Sequence, residues 1–278
     1  MPLNFFQEGG FFRLGSRAGT EIIKEITKST TRQNIIIVSQ LGKGDYEDIQ
    51  SAVDDLPATG GRIYVDDGVY ELATSLIIDK NNVFIEFSEF STIKRKTDFV
   101  GDVIKIGNGS TTRSDITLKG LKIDDLTGSS GSDGIELDKT TRVKFIDCSI
   151  LNTHDAPFKI DADSSFCWMI RCRTENEFSI FGDNCWMSNC VHTGDLAVSG
   201  DDNRITGNSL TASSFGVSDA GSNRLIFTGN TLEEGGLEDD IYFTGTRGII
   251  VGNVNKSSTY NFDVSLATSI IFEHNQDL

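Results

Sequence analysis

The side chains able to do acid–base work in this 278-residue chain recur at intervals through its middle. Lys105, Glu136 and Lys159 each lie in a short alternating segment (VIKIG, GIEL and FKID), and after such segments come His154 with Asp155, Glu175 with Glu177, and His192 with Asp195. Two carboxyl groups held roughly 5–9 Å apart can serve as acid and base in glycoside cleavage. A Lys or His can instead take the proton beside a uronic acid carboxyl. The same residues admit a reading without catalysis, in which Lys105, Glu136 and Lys159 form a stacked ladder of charge and the acids form a solvated rim. The elements that carry them decide what can meet.

Those elements are repeats. Aligned by the sixth residue, the segments VKFIDCSILN, CWMIRCRTEN, CWMSNCVHTG, NRITGNSLTA, LIFTGNTLEE, GIIVGNVNKS and IIFEHNQDL place Cys148, Cys172, Cys190, Asn208, Asn230, Asn253 and Asn275 in one column, at intervals of 24, 18, 18, 22, 23 and 22. A second alternating piece precedes each segment. Units this short, alternating and without a 3.6-residue period, cannot hold the helix pair of a helical solenoid. No leucine scaffold marks a leucine-rich repeat. The sequence therefore predicts an all-β fold, a single-stranded right-handed parallel β-helix of about 9–10 coils stacked at about 4.8 Å. Asparagines in one turn of successive coils can pass amide hydrogen bonds along the stack. The cysteines read as small buried members of the same pattern, although two Cys-x4-Cys spacings could suggest zinc. Ile49, Ala52, Val53 and Leu56 fall at helical spacing, predicting a short helix that caps the open end of the coils.

Alternation also predicts what leaves the coil. On the first strand of each coil the outward column reads Ile77, Lys105, Glu136, Lys159, Ser179, Ala197, Gly216, Tyr242, Asp263, and the adjoining turns add His154, Asp155, Glu175, Glu177, His192 and Asp195 to make a polar groove. On the second strand the column is Thr117, Lys144, Trp168, Trp186, Arg204, Ile226, Ile249, Ile271. An apolar stripe of this kind is expected to be covered, and association through Trp168, Trp186, Ile226, Ile249 and Ile271 is the preferred covering, with a sugar ring against the tryptophans as another.

Composition excludes several classes. With 25 Lys and Arg against 41 Asp and Glu, the net charge of −16 cannot neutralise a phosphate track, so no nucleic-acid partner is expected. No apolar run approaches the ~20 residues of a membrane span, so no membrane insertion is expected. Residues 1–15 carry no readable signal peptide. No cofactor is expected. Asp-rich turns such as Asp201-Asp202 and Asp239-Asp240 could take calcium, but none has a ligand spacing specific for it. Residues 1–43 stand outside the repeat and read as an N-terminal attachment arm or cap, with residues 44–278 as the β-helix.

The stretch GDYEDIQSAVDDLPATGGRIYVDDGVYEL, with its Gly44-Asp45, helix, Gly60-Gly61, strand and Gly68-Val69-Tyr70, resembles the opening of the pectate-lyase-like right-handed β-helix superfamily, in the form found in bacteriophage tailspikes and polysaccharide-acting enzymes. The resemblance implies that the first strand and its flanking loops face a sugar polymer. It also implies a homotrimer at a virion or extracellular surface, joined to a larger virion assembly through the N-terminal arm. The clustered catalytic signatures of polygalacturonases and the Arg-rich pattern of pectate lyases do not occur, so no catalytic residue carries over. The expected function is a virion spike that binds a host-surface glycan and can depolymerise it; the alternative is a free polysaccharide lyase or glycoside hydrolase.

Overall fold

The structure is a computed structural model that describes residues 35–124, 133–153, 156–211, 217–219, 223–233, 241–243, 246–256, 262–263, 271–273 and 275–277. Residues Ile36–Leu278 pack as one compact unit. The chain winds through three parallel sheets in turn. One coil, for instance, runs from Ile135–Asp138 in the first sheet to Thr140–Ile146 in the second and Ser149–Leu151 in the third, and Phe158–Ile160 then re-enters the first. Among the described residues the first sheet has nine strands, the second eleven and the third ten. Nearly every strand pairs only with its counterparts one coil away, as a right-handed parallel β-helix requires.

Strands of two to seven residues suffice because successive side chains alternate between the interior, against the other two sheets, and the outside. Within the Ile135–Asp138 strand, Ile135 and Leu137 are fully buried while Glu136 faces out. Aromatic rings continue this core from coil to coil: Phe145 meets Phe158 at 4.7 Å between centroids, and Phe158 meets Phe178 at 5.4 Å.

Tight turns hold the sheets at fixed angles. Between the second and third sheets, Gly120, Asp147, Arg171, Asn189, Gly207, Gly229 and Gly252 all take positive φ, the left-handed conformation that lets the chain bend sharply. The residue after each bend points inward: Leu121 after the first, and the Cys and Asn column after the rest. The Asn230 side chain accepts from the Asn208 backbone N–H at 2.9 Å and from its amide at 3.0 Å, and donates to Asn253 Oδ1 at 3.0 Å and to the Ile205 carbonyl at 2.9 Å. Farther up the column Cys190 N–H donates to Asn208 Oδ1 at 2.8 Å, and Cys172 N–H points at Cys190 Sγ at 3.4 Å. All five cysteines are buried free thiols. The adjoining thiols together with burial raise the pKa of Cys172 and of Cys190, so both stay protonated, as interior packing groups do.

The helix α1, Ile49–Asp55, buries Ile49, Ala52 and Val53 in the main core. The Asp48 side chain caps it by accepting from Ser51 N–H at 2.8 Å. Ile35–Val38, read from sequence with the arm, stands as the first strand of the second sheet, and Val38 is fully buried. In the first-sheet outward column the register from Ala197 runs to Ser218 and then Tyr242. Ser218 therefore holds the rung expected for Gly216, which lies outside the described residues. The two-residue offset preserves strand parity, which is why it was invisible to the alternation argument.

Candidate functional site

The first-sheet outward face concentrates charge in three successive coils. Register places Lys105, Glu136 and Lys159 side by side. Lys105 Nζ donates to Glu136 Oε2 at 2.7 Å and Lys159 Nζ donates to Oε1 at 3.0 Å, so one carboxylate is clamped between two ammonium groups. Each lysine also meets a second acid: Asp138, at the end of the neighbouring strand, lies 3.5 Å from Lys105, and Asp161, just past Lys159's own strand, lies 3.6 Å from Lys159. Burial would raise the pKa of Glu136, but the hydrogen bonds and charge of the two lysines outweigh it and hold the carboxyl below its ordinary range.

Two further acids complete this cluster, and the sequence reading missed both. Asp102 and Asp133 each stand three residues before an outward residue of the first sheet, Lys105 and Glu136 respectively. Asp102 Oδ1 accepts from Asp133 N–H at 2.9 Å, and Asp133 Oδ1 accepts from Ala156 N–H at 3.2 Å. Burial, joined by the negative charge of Asp102, pushes Asp133 up to about 6. Burial and the neighbouring Glu136 likewise raise Asp102. The signal available in sequence was an Asp at one fixed offset ahead of two successive charged outward residues. The result is a cluster in which Glu136 is held ionised while Asp133 retains its proton to near-neutral pH. Carboxyl groups pushed apart in this way are the arrangement that separates acid from base roles.

The other expected groove residues divide. His154 and Asp155 lie outside the described residues. His192 is fully buried, contrary to its expected place in the groove. It occupies the inward column of the third sheet between Thr174 and Leu210. Its Nε2 lies 3.0 Å from the Asp195 carbonyl, an acceptor only, so Nε2 carries the proton; Nδ1 then accepts from the Thr174 hydroxyl at 2.8 Å. Burial lowers its pKa to about 4 and keeps the ring neutral. Parity explains the correction, because the strand leaves an inward Cys190 and so turns Val191 out and His192 in. Glu175 sits on the third sheet 3.6 Å from Arg173, Glu177 is exposed, and Asp195 is half-buried with its carbonyl receiving both His192 and, at 2.8 Å, Phe178 N–H. Among the described residues, no group of His, Cys, Asp and Glu stands ready to hold a metal ion. Asp201 is hydrogen-bonded to Asn223 and Asp202 to Arg224; Asp239 and Asp240 lie outside the described residues.

The second-sheet column follows the predicted register from Thr117 through Lys144, Trp168, Trp186, Arg204, Ile226 and Ile249 to Ile271. Trp186 is 39% exposed and Ile271 50%, whereas Trp168, Ile226 and Ile249 are half-buried. Lys144 Nζ lies 5.1 Å from the centre of the Trp168 ring and the Arg204 guanidinium 5.9 Å from that of Trp186. A depression of about 540 Å³ opens along this column, walled by aromatic, Ile and Arg side chains.

The coil geometry recurs in solved structures. The protein ORF18 of Geobacillus virus E2 superposes with a TM-score of 0.59 at 12% identity over 94% of this chain and 62% of that one. The surface adhesin PfbA of Streptococcus pneumoniae gives 0.61 at 12% identity, covering 83% of this chain and 75% of that one. Endo-xylogalacturonan hydrolase from Aspergillus tubingensis gives 0.60 at 13% identity, covering 87% and 92%. The chain has the pectate-lyase-like β-helix fold. At these identities the likeness of this β-helix to the three is one of fold. The β-helix spans less than two thirds of the viral protein's length. No protein-family model matches the chain, and no curated protein matches it in sequence.

Proposed function

We propose that this β-helix is the glycan-binding shaft of a surface spike carried by a virion, and that it meets a polysaccharide on the outward face of the first sheet. The observation that carries this reading is the cluster of Asp102, Asp133 and Glu136 between Lys105 and Lys159. It is a row of fixed donors and acceptors on a flat strand face, spaced by the coil repeat and so suited to an extended polymer rather than a compact ligand. The virion setting draws support from the fold shared with a viral protein and with a bacterial surface adhesin.

A second reading has its own observation. Asp133, pushed up to about 6, and Glu136, held ionised, form an acid and base pair in readiness for glycosidic bond cleavage. In that case the spike shortens the polymer it binds, with Asp133 as proton donor.

One experiment addresses both readings. The full chain is mixed with a panel of acidic and neutral polysaccharides while bound mass and polymer length are followed together. Binding of one polymer, reduced in Glu136→Gln, supports the spike reading; shortening of that polymer, abolished in both Asp133→Asn and Glu136→Gln, adds the enzyme. Indifference to every polymer overturns both.

A further inference from the structure

The depression along the second sheet differs chemically from the face just discussed. In the turn that enters this sheet, one residue per coil takes positive φ and stacks on its counterpart in the next coil: Asp115, Arg142, Phe166, Asn184, Asp202, Arg224 and Arg247. Polar residues tolerate that conformation or gain from it, because an Arg can reach the acid one coil below. Arg142 does so on Asp115, with both bonds at 2.7 Å, and Arg224 does so on Asp202.

Two members break the pattern, and both line the depression. Phe166 holds φ at 53° although a bulky aromatic is strained there, and it leaves its ring 45% exposed. Arg247 stacks on Arg224, a cation where the column elsewhere offers an acid, and among the described residues no carboxylate is paired with it. Arg204 joins these from the adjoining strand, with its guanidinium over the Trp186 ring and its charge helping that of Arg224 to hold the Asp202 carboxyl low. In a chain of net charge −16, three guanidinium groups against one carboxylate, Asp202, around one concavity form a local cationic field.

We propose that this depression is a binding site for an acidic saccharide, whose carboxylate is taken by Arg247 and Arg204 while its apolar ring face rests on Phe166 and Trp186. Guanidinium groups bind carboxylates through paired, charge-assisted hydrogen bonds, and exposed aromatic rings supply the apolar wall. Trp186 is already fixed for the role by its Nε1–H bond to Thr206 Oγ1 at 3.0 Å. Association of copies through this face fits the charges poorly. Around an axis along the coil stack the same face of each copy converges, and Arg204, Arg224 and Arg247 would meet their own like. The site rests on the reading that the protein binds glycans, and it deepens that reading by adding a second locus specific for acid sugars.

The chain contains only two tryptophans, Trp168 and Trp186, and both line the depression, so tryptophan emission reports on it directly. The full-length protein is titrated with hexagalacturonate, oligomannuronate and oligosialate, with maltohexaose as the neutral control. The expected result is a saturable change with at least one acidic oligosaccharide, weakened by salt and absent with maltohexaose. Arg247→Gln weakens it about tenfold or more through loss of a charged hydrogen bond. Phe166→Asn also weakens binding without lowering the thermal midpoint, since Asn suits the left-handed turn, and this separates a binding role from a structural one. Glu136→Gln leaves the emission change intact.

Silence with all three acids, while a polysaccharide still binds in a Glu136-dependent manner, overturns this site and leaves the proposed function standing. An equal response to maltohexaose overturns the acid specificity. An emission shift that tracks protein concentration and a growing mass, without sugar, makes the face an interface between copies and also overturns the proposal. Absence of binding by any glycan removes this proposal and the proposed function together.

Discussion

Asp133 and His192 are ionisable groups that burial pushes toward their neutral forms, and their signs with pH are opposite. For Asp133 the ordinary value is 3.8 and the folded value about 6. Between the two, the folded protein holds a proton that the unfolded chain has lost, so the group favours folding at low pH and that advantage is gone once pH has risen through about 6. Asp133→Asn keeps the neutral form throughout, and its Oδ1 can still accept from Ala156. Thermal melting should show the variant gaining over wild type at about pH 8 and matching it near pH 4. His192 runs the other way, with an ordinary value of 6.5 and a folded value of about 4. As pH falls through that interval the unfolded chain takes up a proton and the folded ring does not, so stability is lost on acidification. His192→Leu copies Leu210 one coil up; it should flatten that acid-side loss, cost about 1–3 kcal/mol at neutral pH for the two hydrogen bonds, and leave polysaccharide binding unchanged. A loss of binding without a loss of stability would return His192 to the functional face.

At the scale of the element, the inward column of the turn before the third sheet does for this fold what long-range packing does elsewhere. Asn230 is completely buried and makes four of its side-chain bonds to three different residues in two adjoining coils. Asn230→Ala removes all of them and leaves the Asn208 N–H and the Ile205 carbonyl without that partner, so a destabilisation of about 2–4 kcal/mol is expected from chemical denaturation. Asn230→Cys should cost less, because the thiols of Cys172 and Cys190 fill the equivalent position in their coils. Much of this was legible beforehand. The Cys and Asn column, the second-sheet register from Thr117 to Ile271 and the capping helix followed from spacing and alternation, because a stacked coil repeats its environment and so repeats its residue types. What was not legible has equally physical causes. His192 was read as part of a turn because Arg173–Glu175 and Val191–Thr193 are three-residue strands, too short for alternation to announce itself. Asp102 and Asp133 were passed over because nothing in either segment alone distinguishes a solvated Asp from one that caps the next coil's backbone; only stacking brings the two together.

For the whole molecule, the open question of architecture is where the coil unit begins. The sequence pattern places its start at residue 44, yet Val38 is fully buried, Ser39 N–H donates to the Tyr46 carbonyl at 2.8 Å and Asp66 N–H donates to the Val38 carbonyl at 2.9 Å. Tyr70, at the beginning of the next coil, reaches back to the Val38 and Asp66 carbonyls through its hydroxyl at 3.3 and 2.9 Å. A strand that supplies core side chains and hydrogen-bond acceptors to the first coil is part of the folded end, whatever precedes it does. Two truncations therefore have different expected outcomes. Removal of residues 1–34 should leave the melting transition of the coil unit in place, because Ile36–Leu278 is a compact unit with its own core. Removal of residues 1–43 exposes the first coil beside α1, deprives Tyr70 and Asp66 of the Val38 carbonyl, and should lower the midpoint and promote end-to-end association through the bared strand edge. If the shorter truncation alone abolishes folding, the first 34 residues are a cap. If it spares folding and polysaccharide binding but abolishes attachment to the virion proposed to carry it, they are the attachment arm.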